Sequence, residues 1–296
     1  MRIVVSGASG FIGSALVKAL DAEGQDVVRL VRRAAKKPNE VSWNPARGEL
    51  DVRGLSECRA IVHLAGENIA GRWTEAKMVR ILDSRIRGTR LLAEAMGRVG
   101  GRPKVFVSAS ASGYYGDRGG EVLSERSAPG VGFLPDVCKE WEAASWPAAQ
   151  HGLRVVNPRF GMVLDSHGGA LAAMLPVYRA GLGGILGDGR QHMPWVTIED
   201  AVAAIMFLIN EPSVAGPVNV TSPHSVTNRK FVKTLAGVLH KPAFMRVPRF
   251  ALRLMFGKMA DEVLLASANV VPEKLLEAGF RFCHPELEEA LKSVLS

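Results

Sequence analysis

With 296 residues, 47% of them apolar and only 22% charged, the chain can bury a large core, which excludes intrinsic disorder. The formal net charge of +8 raises nucleic acid as a partner, but Lys and Arg alternate with Asp and Glu and aromatics are few, so an anionic small molecule is expected instead. Cys58, Cys138 and Cys283 lie too far apart for a disulfide framework or a Cys-based zinc site. The first residues lack the pattern of a signal peptide, and no apolar run reaches the roughly 18 to 20 residues of a membrane span. A cytoplasmic protein without membrane contact is expected.

Residues 2–6 form a short β-branched run, and Phe11, Ile12, Ala15, Leu16, Ala19 and Leu20 follow at helical spacing until Gly24. DVVRLV (26–31) is the next strand, so the opening reads as one βαβ unit. Further apolar runs at 60–66, 104–110, 153–161 and 217–222 alternate with helical segments at 73–97, 136–150 and 199–210. That alternation predicts an α/β fold: a Rossmann-type, doubly wound parallel sheet with helices on both faces. From about residue 165 the texture changes. GLGGILGDGRQ (181–191) reads as a loop, and the region after 223 is helical with punctuation at Pro242, Pro248, Pro272 and Pro285. The expected division is a Rossmann domain over 1–164, rejoined by 195–222, and a smaller C-terminal α/β domain over 165–296 acting as substrate or lid domain. Within it, residues 246–265 alternate apolar and basic side chains and read as core packing with an exposed basic edge, an interface being the alternative.

Gly7, Gly10 and Gly13 space a GxxGxxG turn between strand and helix, with Ser9, Phe11 and Ile12 in the same turn. Glycine lets the backbone approach a pyrophosphate, and the helix N-terminus supplies free N–H groups and partial positive charge. The second strand ends LVRR, where an NAD site usually has a carboxylate; Asp26 stands at its other end. Arg32, with Arg33 as a second candidate, therefore suits a 2′-phosphate and favours NADP(H).

SGASGFIG, HLAGENI, SASASGYYGD, GLGGILGDGRQ and the closing EAGFRF together resemble the epimerase-type (extended or atypical) short-chain dehydrogenase/reductases, the YfcH-like or SulA-like subgroup above all, over nearly the whole chain. The resemblance implies NADP(H) in an extended cleft. Leu64, Ala65 and Gly66 would lie under the adenosine side of the cofactor, with Glu67 and Asn68 following near the ribose, and Arg85 and Ser108 also on the cofactor side. In typical members a Ser past the fifth strand bonds the substrate oxygen. A Tyr then acts as acid or base, and a Lys four residues on lowers its pKa and holds the ribose.

Ser110 matches the Ser, with Ser108 and Ser112 as neighbours, but YxxxK is missing. Phe133 or Leu134 stands at the Tyr position, Cys138 near the Lys position, and Lys139 is one residue out of register. Tyr114 and Tyr115, just after Ser110, are the alternative proton donors. GDGRQHMPWVTIED places Arg190, Gln191 and Trp195 toward a substrate; Thr197 stands where the subgroup usually has His, and Glu199 and Asp200 read as helix-cap residues. His192 is alone, and no metal site is expected. The expected function is an NADP(H)-dependent oxidoreductase or epimerase-like enzyme acting on an unidentified small molecule, as monomer or homodimer. The alternative is a non-catalytic NADP(H)-binding sensor or assembly protein.

Overall fold

The computed structural model describes residues 1–99 and 103–296. Its main sheet contains β1 (Arg2–Ser6), β2 (Asp26–Val31), β3 (Glu40–Asn44), β4 (Glu49–Leu50), β5 (Ala60–His63), β6 (Val105–Ser108), β7 (Ser110–Ala111), β9 (Arg154–Phe160) and β14 (Gly216–Val220). Its order is β14-β9-β6-β5-β1-β2-β3-β4, with β7 paired to β9. The pairs from β14 across to β3 are parallel, and β4 closes the edge as an antiparallel strand.

Strand residues alternate between the two faces, so each face builds its own core. Ile3, Val5, Val62 and Val107 meet α1 (Phe11–Ala22) and α6 (Ile198–Asn210) through Leu16, Leu20, Ile205 and Leu208. Val4, Ile61 and Phe106 point the other way, onto Leu92, Ala93 and Met96 of α2 (Glu75–Ala95) and its continuation, and Ala148 of α4 (Trp146–Gln150). Helix α3 (Phe133–Ala144) packs beside α2. This is the doubly wound architecture expected from the sequence. The order reverses between β1 and β5, which puts a crevice at the carboxyl ends of those strands.

The sequence reading passed over β3. EVSWN buries Val41 and Trp43 while Ser42 is exposed, so it shows alternation instead of the continuous apolar run of the central strands.

The rest of the chain forms short paired strands: β8 (Val122–Leu123) with β17 (Asn269–Val270), β10 (Met162–Leu164) with β13 (Trp195–Thr197), β11 (Gly184–Leu186) with β16 (Met245–Val247), and β12 (His192–Met193) with β15 (Val226–Thr227). GLGGILGDGRQ is thus not all loop, because Gly184–Leu186 pairs with β16. Helices α5 (Gly169–Arg179), α7 (Asn228–Val238) and α10 (Leu287–Leu295) share a separate core of Leu171, Leu175, Trp195, Phe231, Leu235 and Leu291. α8 (Arg249–Phe256) presents Phe250, Leu254 and Met255 to solvent, more apolar surface than the expected basic edge. α9 (Glu273–Glu277) lies against β14. No described helix is long and apolar enough to cross a membrane.

Candidate functional site

Helix α1 begins without a side-chain cap, since its first flanking residue is Gly10. By contrast α2, α6 and α7 are capped by Thr74, Thr197 and Thr227, whose hydroxyls satisfy a backbone N–H of the first turn. The turn leading into α1 is drawn tight by a 2.8 Å bond from the Gly10 N–H to the Gly7 carbonyl. Gly7 has φ +69°, and a Cβ there would lie 2.8 Å from the backbone of Leu64 and Ala65 at the end of β5. A Cβ on Gly13 would land on the Gly7 carbonyl oxygen. Both positions therefore require glycine, and the result is a shallow cradle at a free helix N-terminus with Ser9 exposed on its rim. The residues present fit a pyrophosphate.

At the end of β2 the two arginines part. Arg33 makes a bidentate pair with Glu40 of β3 at 2.7 and 2.8 Å, which holds that carboxyl down at about 2. The expectation that Arg33 serves a 2′-phosphate is therefore withdrawn. Arg32 is exposed and, among the described residues, has no hydrogen-bonded partner.

On the β5 side, Leu64 and Ala65 back the Gly7 turn and Gly66 is exposed. Glu67 forms a 3.6 Å surface pair with Arg80, and Asn68 accepts the Ala70 N–H within its own turn. Arg85 of α2 is half-buried, donating to the carbonyls of Glu67 and Ile81 at 3.1 Å each. Beneath the cradle, fully buried His63 shares a 2.5 Å hydrogen bond with Ser6, and burial pushes its pKa down to about 3. Ser108 is likewise fully buried, its carbonyl accepting from Asn157. No surface of it is left for a cofactor, and that assignment is withdrawn.

Ser110 donates its hydroxyl to Glu142 at 2.6 Å. Glu142 lies one helical turn beyond Cys138 on α3 and accepts two 2.8 Å bonds from Arg159 of β9. The side chains of Arg159 and Glu142 are 2% and 14% exposed. Burial opposes the Arg159 charge, but Glu142 and Tyr115 outweigh it and hold the guanidinium above its ordinary value.

This frame separates the tyrosines. Tyr115 is fully buried; it donates to Ser124 and Asn219, accepts from Arg159, and burial pushes its phenol up to about 12. It is a structural residue, and its candidacy as proton donor is withdrawn. Tyr114 is half-buried, its ring centroid 3.4 Å from Cζ of Arg159, and its hydroxyl has no hydrogen-bond partner among the described residues. Leu134 and Cys138 share the α3 face with Glu142, and burial pushes the Cys138 thiol up to about 12. Lys139 instead pairs with Asp136 at 3.4 Å on the solvent side.

Residues 3–221 match the NAD dependent epimerase/dehydratase family, and residues 247–294 match a domain of unknown function, DUF1731. The chain belongs to the NAD-dependent epimerase/dehydratase family. It is 43% identical to the epimerase family protein Mb2239 of Mycobacterium bovis, over 98% of this chain and 96% of that protein. It is 34% identical to epimerase family protein YfhF of Bacillus subtilis, covering 100% of this chain and 98% of YfhF. Among solved structures, human SDR39U1 with NADPH superposes with a TM-score of 0.91 at 34% identity, covering 99% of both chains.

As in the sequence reading, this epimerase-family chain lacks a YxxxK pair, and Glu142 and Arg159 are the residues that reading missed. The expected substrate loop is largely spoken for. Trp195 is fully buried and its indole donates to the His224 carbonyl. Gln191, 6% exposed, donates to the carbonyls of Leu186 and Leu264. Both are withdrawn as substrate contacts, because both side chains are buried and the Trp195 indole N–H and the Gln191 amide nitrogen already bind backbone. Arg190 remains exposed. Thr197 caps α6, while Asp200 accepts the N–H groups of Cys283 and His284 and so ties the C-terminal segment to α6. The N-terminus of α3 is capped across the fold, with Glu262 accepting the Phe133 and Leu134 N–H groups at 3.0 and 2.7 Å.

Proposed function

We propose that the chain binds NADP(H) along the Gly7–Gly13 turn and exchanges hydride with a small carbonyl or alcohol substrate at Ser110. The observation that carries this reading is the uncapped N-terminus of α1 behind a turn that only glycine can make. The match to a human relative solved with NADPH supports it. Arg32 selects the 2′-phosphate. The bound cofactor supplies or accepts the hydride. Ser110, held beside Glu142 and Arg159, orients the substrate oxygen by turning its one proton from Glu142 to that oxygen. Tyr114 moves the proton, since its hydroxyl is unspent and its ring rests on a permanent cation.

A second reading, an NADP(H)-binding sensor without turnover, is favoured by one observation: Ser110 is 2% exposed and already bonded to Glu142.

Calorimetric titration of the wild type and Arg32→Ala with NADPH and NADH tests the cofactor reading. Tighter NADPH binding, with the preference lost in Arg32→Ala, is expected. Binding of neither nucleotide, or an undiminished preference in the variant, overturns it. NADPH consumption across a panel of small aldehydes and ketones then separates enzyme from sensor.

A further inference from the structure

Arg85 has more donors than its surroundings use. One terminal nitrogen serves the carbonyls of Glu67 and Ile81, which leaves the other terminal nitrogen and Nε of a five-donor fork unassigned among the described residues. Its Cζ lies 4.8 Å from the Trp141 ring of α3, and a Cβ on Gly66 would begin 3.4 Å from it. The guanidinium is therefore wedged between the loop that backs the Gly7 turn and the α3 face that carries Cys138. No carboxylate pairs with it among the described residues. Burial pushes it below its ordinary value, and nearby Cys138 and Glu67 offset this only partly. Of the titratable groups against it, His63 and Cys138 stay neutral near pH 7, because burial holds them at about 3 and about 12, while the Glu67 carboxylate pairs with Arg80 at 3.6 Å instead. A cation held half-buried with spare donors and no paired carboxylate gains most from acceptors that arrive with a ligand.

We propose that Arg85 holds the nicotinamide-side ribose of bound NADP(H), supplying from α2 a positive charge beside the Cys138 position of α3, whose thiol reaches the Ala111 carbonyl next to Ser110; a lysine at that position would be a second, repelling cation. The proposal rests on the reading of the cleft as an NADP(H) site. Since that ribose is common to both nucleotides, Arg85 contributes equally to NADPH and NADH, unlike Arg32.

The test is calorimetry with NADPH and NADH on the full chain carrying Arg85→Met, Arg85→Lys, or Arg85→Met with Cys138→Lys. Arg85→Met, which keeps the apolar stem, is expected to weaken both nucleotides by about 10- to 100-fold with their ratio unchanged, the loss of a charge-assisted hydrogen bond. Arg85→Lys and the double variant are expected to recover most of that loss, which a mere packing role would not give the double variant. Wild-type affinity in Arg85→Met, a loss confined to NADPH, or no recovery in the double variant overturns the assignment. Should Arg85→Met fold poorly, Cys138→Lys alone decides: weaker binding of both nucleotides is expected, and unchanged binding overturns the proposal. A wild type that binds neither nucleotide overturns the reading of the cleft itself.

Discussion

Replacing Glu142 by Ala strips the acceptor from a guanidinium that is 2% exposed and receives two 2.8 Å bonds from it. What remains in contact with the Arg159 guanidinium is the Tyr115 hydroxyl at 3.0 Å and the Tyr114 ring, neither of which replaces the lost carboxylate. Breaking a buried pair by removing one partner costs about 3–5 kcal/mol, since the other charge stays desolvated. At roughly 2.1 cal/mol/K of unfolding entropy per residue, a chain of 296 residues loses about 1.6 °C per kcal/mol, so Tm falls by about 5–8 °C. Removing both charges with Glu142→Met and Arg159→Met leaves no orphaned ion and should cost clearly less than the single change, with Ser110 still losing its acceptor. Thermal and urea unfolding followed by circular dichroism read both variants. A Glu142→Ala protein within about 1 kcal/mol of wild type would show that the pair is solvated and would refute the argument.

Alanine at Gly7 or Gly13 should abolish measurable NADPH binding, because the new Cβ meets backbone in both cases; an unaffected Kd would remove the cradle. Tyr115→Phe should cost about 1–3 kcal/mol by leaving Asn219 and Arg159 short of a partner. Tyr114→Phe should leave stability alone and lower turnover by about 10²- to 10⁴-fold, and equal turnover would exclude its proton role. His63 gives a pH dependence of known sign. Its folded value of about 3 lies below the ordinary 6.5, so its contribution is complete above 6.5 and is lost as pH falls toward 3. Urea midpoints should drop across that window, and His63→Asn, which cannot take up the proton, should flatten this limb; an identical slope would assign it to other groups.

The parts legible in the sequence were local. The glycine turn, the βαβ unit and the apolar central strands each declare themselves within a few residues, because turn sterics and burial on both faces act at short range. What escaped depends on pairing across the fold. Arg33 looked free only because β3, with its alternating pattern, was not read as a strand, so its partner Glu40 went unseen. Glu142 and Arg159 sit on different elements, and neither element carries a local mark of the bond between them. Trp195 and Gln191 read as loop residues beside glycines, yet short strands and backbone carbonyls bury them. Tyr114 and Tyr115 are neighbours in sequence, and only the packing of Tyr115 onto Leu123 and Val270 decides which phenol stays accessible.

The proposed function requires NADP(H) to lie along Gly7–Gly13 with its nicotinamide end toward Ser110. A crystal structure of the chain grown with NADPH tests it most directly. The pyrophosphate is expected at the N-terminus of α1, the 2′-phosphate on Arg32 and the nicotinamide ring between Arg85 and Ser110. A nucleotide bound elsewhere, or one whose 2′-phosphate sits away from Arg32, would contradict it.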